Sequence, residues 1–75
     1  MHRMPIRVRV SEPSLLEELM TAFLRHGCVT DRADVDSCFV VHVHAHDPAE
    51  ARREIEFFAR AWRLAHPQVS VVVSA

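Results

Sequence analysis

The residues with the most chemistry in them stand together, because Cys38-Phe-Val-Val-His-Val-His-Ala-His46 sets three imidazoles at alternate positions. Successive side chains of an extended segment point to opposite faces. Cys38, Val40, His42, His44 and His46 are therefore expected on one side, and Phe39, Val41, Val43 and Ala45 on the core side. Residues two apart on a strand are about 6.6 Å apart, which lets two imidazoles converge on an ion with Zn–N bonds of about 2.0–2.1 Å. The outer pair spans about 13 Å, so one ion reaches all three only if the strand bends. Zinc or another divalent metal at His42, His44 and His46 is one expectation. Such a site needs one or two further ligands; His2 and Asp47 can approach, whereas Cys38 lies too far along the strand. An anion shared with neighbouring arginines, or a pH-dependent protein contact, are the other expectations.

The remaining reactive groups narrow the chemistry. Cys28 and Cys38 stand ten residues apart with no C-x-x-C and no zinc-finger spacing, so they read as buried thiols rather than as a disulfide framework. No Ser, His and Asp are spaced to declare a triad, and the chain is read as non-enzymatic. A net charge of −1 among 75 residues lacks the basic footprint of a dedicated nucleic-acid binder. The opening Met-His-Arg-Met-Pro has no apolar signal-peptide core, and no apolar run reaches the roughly 18 residues of a membrane span, so a cytoplasmic protein is expected. With 49% hydrophobic and 25% charged residues, the composition is that of a globular protein.

These groups must be positioned by regular elements. Ile6-Arg-Val-Arg-Val10 alternates and reads as a strand with Arg7 and Arg9 on its outer face. Ser11 or Ser14 starts a helix whose stripe is Leu15, Leu16, Leu19, Met20, Phe23 and Leu24, and Gly27 ends it. Cys28 to Arg32 is a short charged strand, expected at a sheet edge, and a turn over 33–37 leads into the histidine strand. Asp47-Pro-Ala-Glu50 carries cap, first-turn proline and capping-box glutamate, so a helix starts at Pro48. Its stripe of Ala51, Ile55, Phe58, Trp62 and Ala65 is widened by Phe57, Ala61 and Leu64, and Pro67 stops it. Gln68 to Ser74 is a last strand.

The order β-α-β-β-α-β is that of the ferredoxin-like arrangement. A single ferredoxin-like domain over 1–75 is expected, α+β in class, with a four-stranded antiparallel sheet of order 4-1-3-2 and two helices on one face. The other face then gathers Arg7, Arg9, Cys38, Val40, His42, His44, Ser70 and Val72. RNA-recognition domains share the topology and stack bases on aromatics of the two central strands, positions that here fall to Arg and His, so nucleic acid is not the expected partner. The function expected is that of a small binding or regulatory module using Arg7, Arg9, Val40 and Val72 for a ligand, an anion or an interface. A homodimer is expected, because a two-layer domain leaves one sheet face and the excess apolar residues Phe57 and Leu64 uncovered. Metal binding by the histidine strand is the alternative.

Overall fold

Charge decides which side of the first strand faces inward. In the computed structural model, which describes residues 5–74, β1 (Ile6–Val10) buries Ile6, Val8 and Val10 and leaves Arg7 and Arg9 on the far side. A 3-10 turn over Pro13–Leu15 then leads into α1 (Leu16–Arg25), which starts later than either serine cap and has no side-chain cap. Ser11 is used differently: its hydroxyl accepts from the Ser70 backbone N–H at 2.9 Å, tying the start of this connection to the approach of the last strand. Gly27 closes the helix at φ +82°, the left-handed conformation that glycine adopts without a Cβ penalty.

The hairpin that follows is β2 (Cys28–Asp34) and β3 (Ser37–His42), longer on its first arm than the sequence pattern predicts. The Asp34 carboxylate accepts from the Val35 backbone N–H at 2.7 Å, which fixes the turn next to a register shift between Arg32 and Asp34. α2 (Pro48–Leu64) begins where expected: Asp47 accepts from the Glu50 N–H at 2.8 Å. The Glu50 carboxylate reaches past the cap to the His46 N–H at 3.0 Å. β4 (Val71–Ser74) completes an antiparallel sheet of order β2-β3-β1-β4, the predicted 4-1-3-2 read from the other edge, with β2 at one edge.

Leu16, Leu19 and Phe23 of α1 and Ile55, Ala59 and Trp62 of α2 form one core with Ile6, Val8, Val10, Cys28, Cys38, Val40 and Val69. Trp62 is buried as its stripe predicts, and Phe58 only partly. Phe57 and Leu64 are exposed, so the apolar excess of α2 does lie outside the core.

The expected facing of β3 is reversed. Val8 pairs with Cys38 and Ile6 with Val40, and directly opposite residues of an antiparallel pair project to the same face. Cys38 and Val40 are therefore inside, both at 0% exposure, and Phe39 is outside at 38%. The strand is apolar on both sides, so its own alternation cannot say which side goes in; the pairing with the arginine-marked β1 does.

Candidate functional site

On the sheet face away from the helices, the register lines up two cross-strand rows. Ser74, Arg7, Phe39 and Asp31 are successive partners across all four strands, as are Val72, Arg9, Ser37 and Asp34. Val29 pairs with Val41 beyond the first row. The Arg7 guanidinium lies 5.9 Å from the centroid of the Phe39 ring and donates to the Ser37 hydroxyl at 3.2 Å. Its contact with Asp34 is looser, at 4.0 Å, while Arg9 pairs with Asp36 at 3.5 Å. Both signs of charge are thus interleaved with exposed Val29, Phe39 and Val72. Fixed carboxylates beside each arginine leave little net positive field for a polyanion, whereas a mixed apolar and charge-balanced patch suits another protein surface.

Of the residues the sequence placed here, Arg7, Arg9 and Val72 are on this face and Val40 is not. Val40 is core, and the residues that replace it outside are Phe39 and Val41, its chain neighbours. Phe39 is thus an aromatic on a central strand of the open face, in a position the sequence pattern assigned to the core.

The histidine row is not a row in space. β3 ends at His42, because β1 pairs Ile6 with Val40 and the residue before it is Pro5, which has no N–H to extend the ladder. On the other side β2 begins at Cys28, the partner of His42, so residues 43–46 have no strand beside them and turn instead. His42 faces the helices, not the open sheet: its side chain is 8% exposed and its Nε2 sits 2.6 Å from Glu54 Oε1 of α2. The His44 and His46 residues are exposed in the turn region. A Cβ at Gly27 would meet the His44 ring at 3.8 Å. His26 instead joins His42 around Phe58, stacking on that ring at 4.3 Å with 9° between planes. No group of three or more His, Cys, Asp or Glu among the described residues is arranged to hold a metal, and His2 lies outside the described residues.

The His42–Glu54 pair fixes a tautomer. Nδ1 is buried with no partner, and a proton there would be an unsatisfied buried donor, so Nε2 carries the hydrogen and donates to the carboxylate. Cys28 lies opposite His42 in the ladder but forms no hydrogen bond with it. Burial, and secondarily the charge of Glu54, pushes the Cys28 thiol up to about 11; burial does the same to Cys38, to about 11, against a smaller pull from Arg32. Neither thiol is a thiolate nucleophile near neutral pH. A second histidine and glutamate, His66 and Glu18, join the end of α2 to α1 beside a stack of His66 on Trp62 at 4.0 Å. Sequence spacing shows neither pair, since partners 12 and 48 positions apart meet only after the helices pack. Compared with known protein families, curated proteins and solved structures, the chain matches none.

Proposed function

We propose that this chain is a small non-enzymatic binding or regulatory module of ferredoxin-like fold that acts through its open sheet face and works as a homodimer. The observation that carries the reading is the open face itself, where Val29, Phe39 and Val72 stand among Arg7, Arg9, Asp31, Asp34 and Asp36. Exposed apolar groups ringed by balanced charge favour a protein partner over nucleic acid or a free anion. Two free buried thiols accord with a reducing setting such as the cytoplasm, and no helix among the described residues is long and apolar enough to cross a membrane.

Light scattering at micromolar concentration should report twice the 8.6 kDa chain mass. A monomer throughout that range removes the dimer. Amide chemical shifts followed while inorganic phosphate and then single-stranded RNA are added separate the remaining partners: shifts clustered on Arg7, Arg9 and Phe39 with either ligand would replace the protein-surface reading by an anion or RNA site.

The metal reading has one observation in its favour. A histidine that donates one ring N–H to a carboxylate while its other nitrogen stays free is the usual arrangement of a metal-bound imidazole, and His42 has it with Glu54. A zinc-dependent rise in melting temperature that His42→Ala abolishes would establish it; an unchanged melt removes it.

A further inference from the structure

Resting on the homodimer reading, we propose that two copies join edge to edge through β4, antiparallel about a two-fold axis at Val72. The four strands of each copy then form one continuous sheet, and both open faces lie on the same side of it. The two edges of the sheet differ in the way that matters for such pairing. Charged side chains on an edge strand discourage a second chain from adding to it, and β2 carries Asp31, Arg32 and Asp34. β4 reads Val-Val-Val-Ser, with no charge, no proline and no bulge.

Backbone parity shows which groups of β4 are free. The Val10 N–H is spent toward β3, on the Asp36 carbonyl at 2.8 Å, so Val71, its partner in the ladder, is not hydrogen-bonded to it. Ser70 faces β1, since its carbonyl accepts from the Ser11 N–H at 2.9 Å. Arg52 reaches the Val73 carbonyl from outside at 3.3 Å. Ser70, Val72 and Ser74 therefore turn inward, and Val71 and Val73 present their N–H and C=O groups to the edge. Those two residues are symmetric about Val72. A second copy laid antiparallel matches Val71 with the second Val73 and Val73 with the second Val71, each pair exchanging both backbone bonds; the Arg52 contact leaves a lone pair on the Val73 oxygen.

The side chains are self-complementary about the same axis. Val72, 59% exposed, meets its own copy on the open face at the close non-hydrogen-bonded spacing of about 4.5 Å between Cα atoms. On the helix side, Arg52 is level with Val73, and Arg63, which donates to the Val69 carbonyl, is level with Val69. Glu56 then stands near the height of Val72, where the axis turns Arg52 of each copy toward Glu56 of the other. Both side chains are partly exposed and already paired within one chain at 3.6 Å, so a reciprocal four-charge cluster needs no new desolvated ion.

Amide exchange on the unaltered protein reads this directly. Edge pairing predicts that the Val71 and Val73 amides exchange slowly where the dimer is populated and fast after dilution to monomer. Two variants read it by mass. Val71→Pro removes an N–H that the folded monomer does not use and should weaken dimerisation at least about tenfold. Val29→Lys, on the open face next to the far edge, should leave the dimer intact. A dimer that Val29→Lys dissociates and whose Val71 and Val73 amides stay fast is packed face to face, which overturns the edge while keeping the homodimer. A wild-type monomer at all concentrations removes both. Should Val71→Pro not fold by circular dichroism, the wild-type exchange pattern decides alone.

Discussion

On the helix-covered face of the sheet, Val8, Val10, Cys38 and Val40 are at 0–1% exposure under Leu16, Leu19, Phe23 and Ile55, while their chain neighbours Arg9 and Phe39, and Val72 opposite Arg9 on β4, remain in water. The two faces of β3 are almost equally apolar, so hydrophobicity alone does not separate them. Pairing does: once β1 has committed its arginines outward, a one-residue slip of β3 would turn His42 and Cys38 outward and Phe39 inward together. The covered face is a packing solution, and the uncovered one leaves Val29, Phe39 and Val72 in water.

The largest test of this difference uses the same residue type on both faces. Phe23→Ala opens a cavity in the core and should cost about 3–5 kcal/mol, a large share of the stability of so small a domain. Phe39→Ala should cost less than about 1 kcal/mol, because its ring is already partly in water, with the Arg7 guanidinium 5.9 Å from its centroid. Urea titrations of the two variants check the pair. Similar losses would put Phe39 in the core and reverse the assignment of faces.

What was legible in the sequence was local or was marked by charge. Asp47, Pro48 and Glu50 announce the start of α2 because cap chemistry acts within one turn, and Arg7 and Arg9 announce the outer face of β1 because a guanidinium is not buried unpaired. The strand order followed from the order of elements. The illegible parts were tertiary. A strand with Val and Phe on one side and Cys and Val on the other carries no sign of which side is inner, and the imidazole row dissolved because an extended segment needs a neighbour to stay extended. Nothing at positions 43–46 reveals that Gly27 and Pro5 end the neighbouring strands there.

The covered face also differs in its titration. The chain contains no Lys and no Tyr, so above the range of the α-amino group only the two thiols titrate between pH 9 and 11. Burial raises both from the ordinary 9.0 to about 11, so the unfolded chain gives up these protons earlier than the folded one. Their contribution to stability is complete below about pH 9 and is lost as the pH rises through 11, at most about 1.4 kcal/mol per pH unit for each thiol. Denaturation midpoints measured from pH 8 to 11 should fall, and the fall should flatten in the Cys28→Ala, Cys38→Ala double variant. Thiol labelling at pH 8 should be slow in the native protein and fast in urea. Rapid native labelling would show that these side chains reach solvent.

The smallest effect expected on the covered face concerns the polar His42–Glu54 pair. His42 donates from Nε2 to a Glu54 carboxylate that is 44% exposed, so water already meets part of the demand of the acid and little of the demand of the ring. Removing the acceptor should therefore cost more than removing its charge. Glu54→Ala strands a nearly buried N–H and should lose about 1–2 kcal/mol, whereas Glu54→Gln keeps an amide oxygen in place and should lose about half as much. Replacing both partners by apolar groups, His42→Phe with Glu54→Ala, removes the stranded donor and should recover most of the loss, since a hydrogen bond exchanged for two matched apolar groups is nearly neutral. Long-range nitrogen spectra of the imidazole should show the hydrogen on Nε2 in the native protein. A hydrogen on Nδ1, or a double variant no better than Glu54→Ala, would mean that the ring is held by its surroundings and not by this carboxylate.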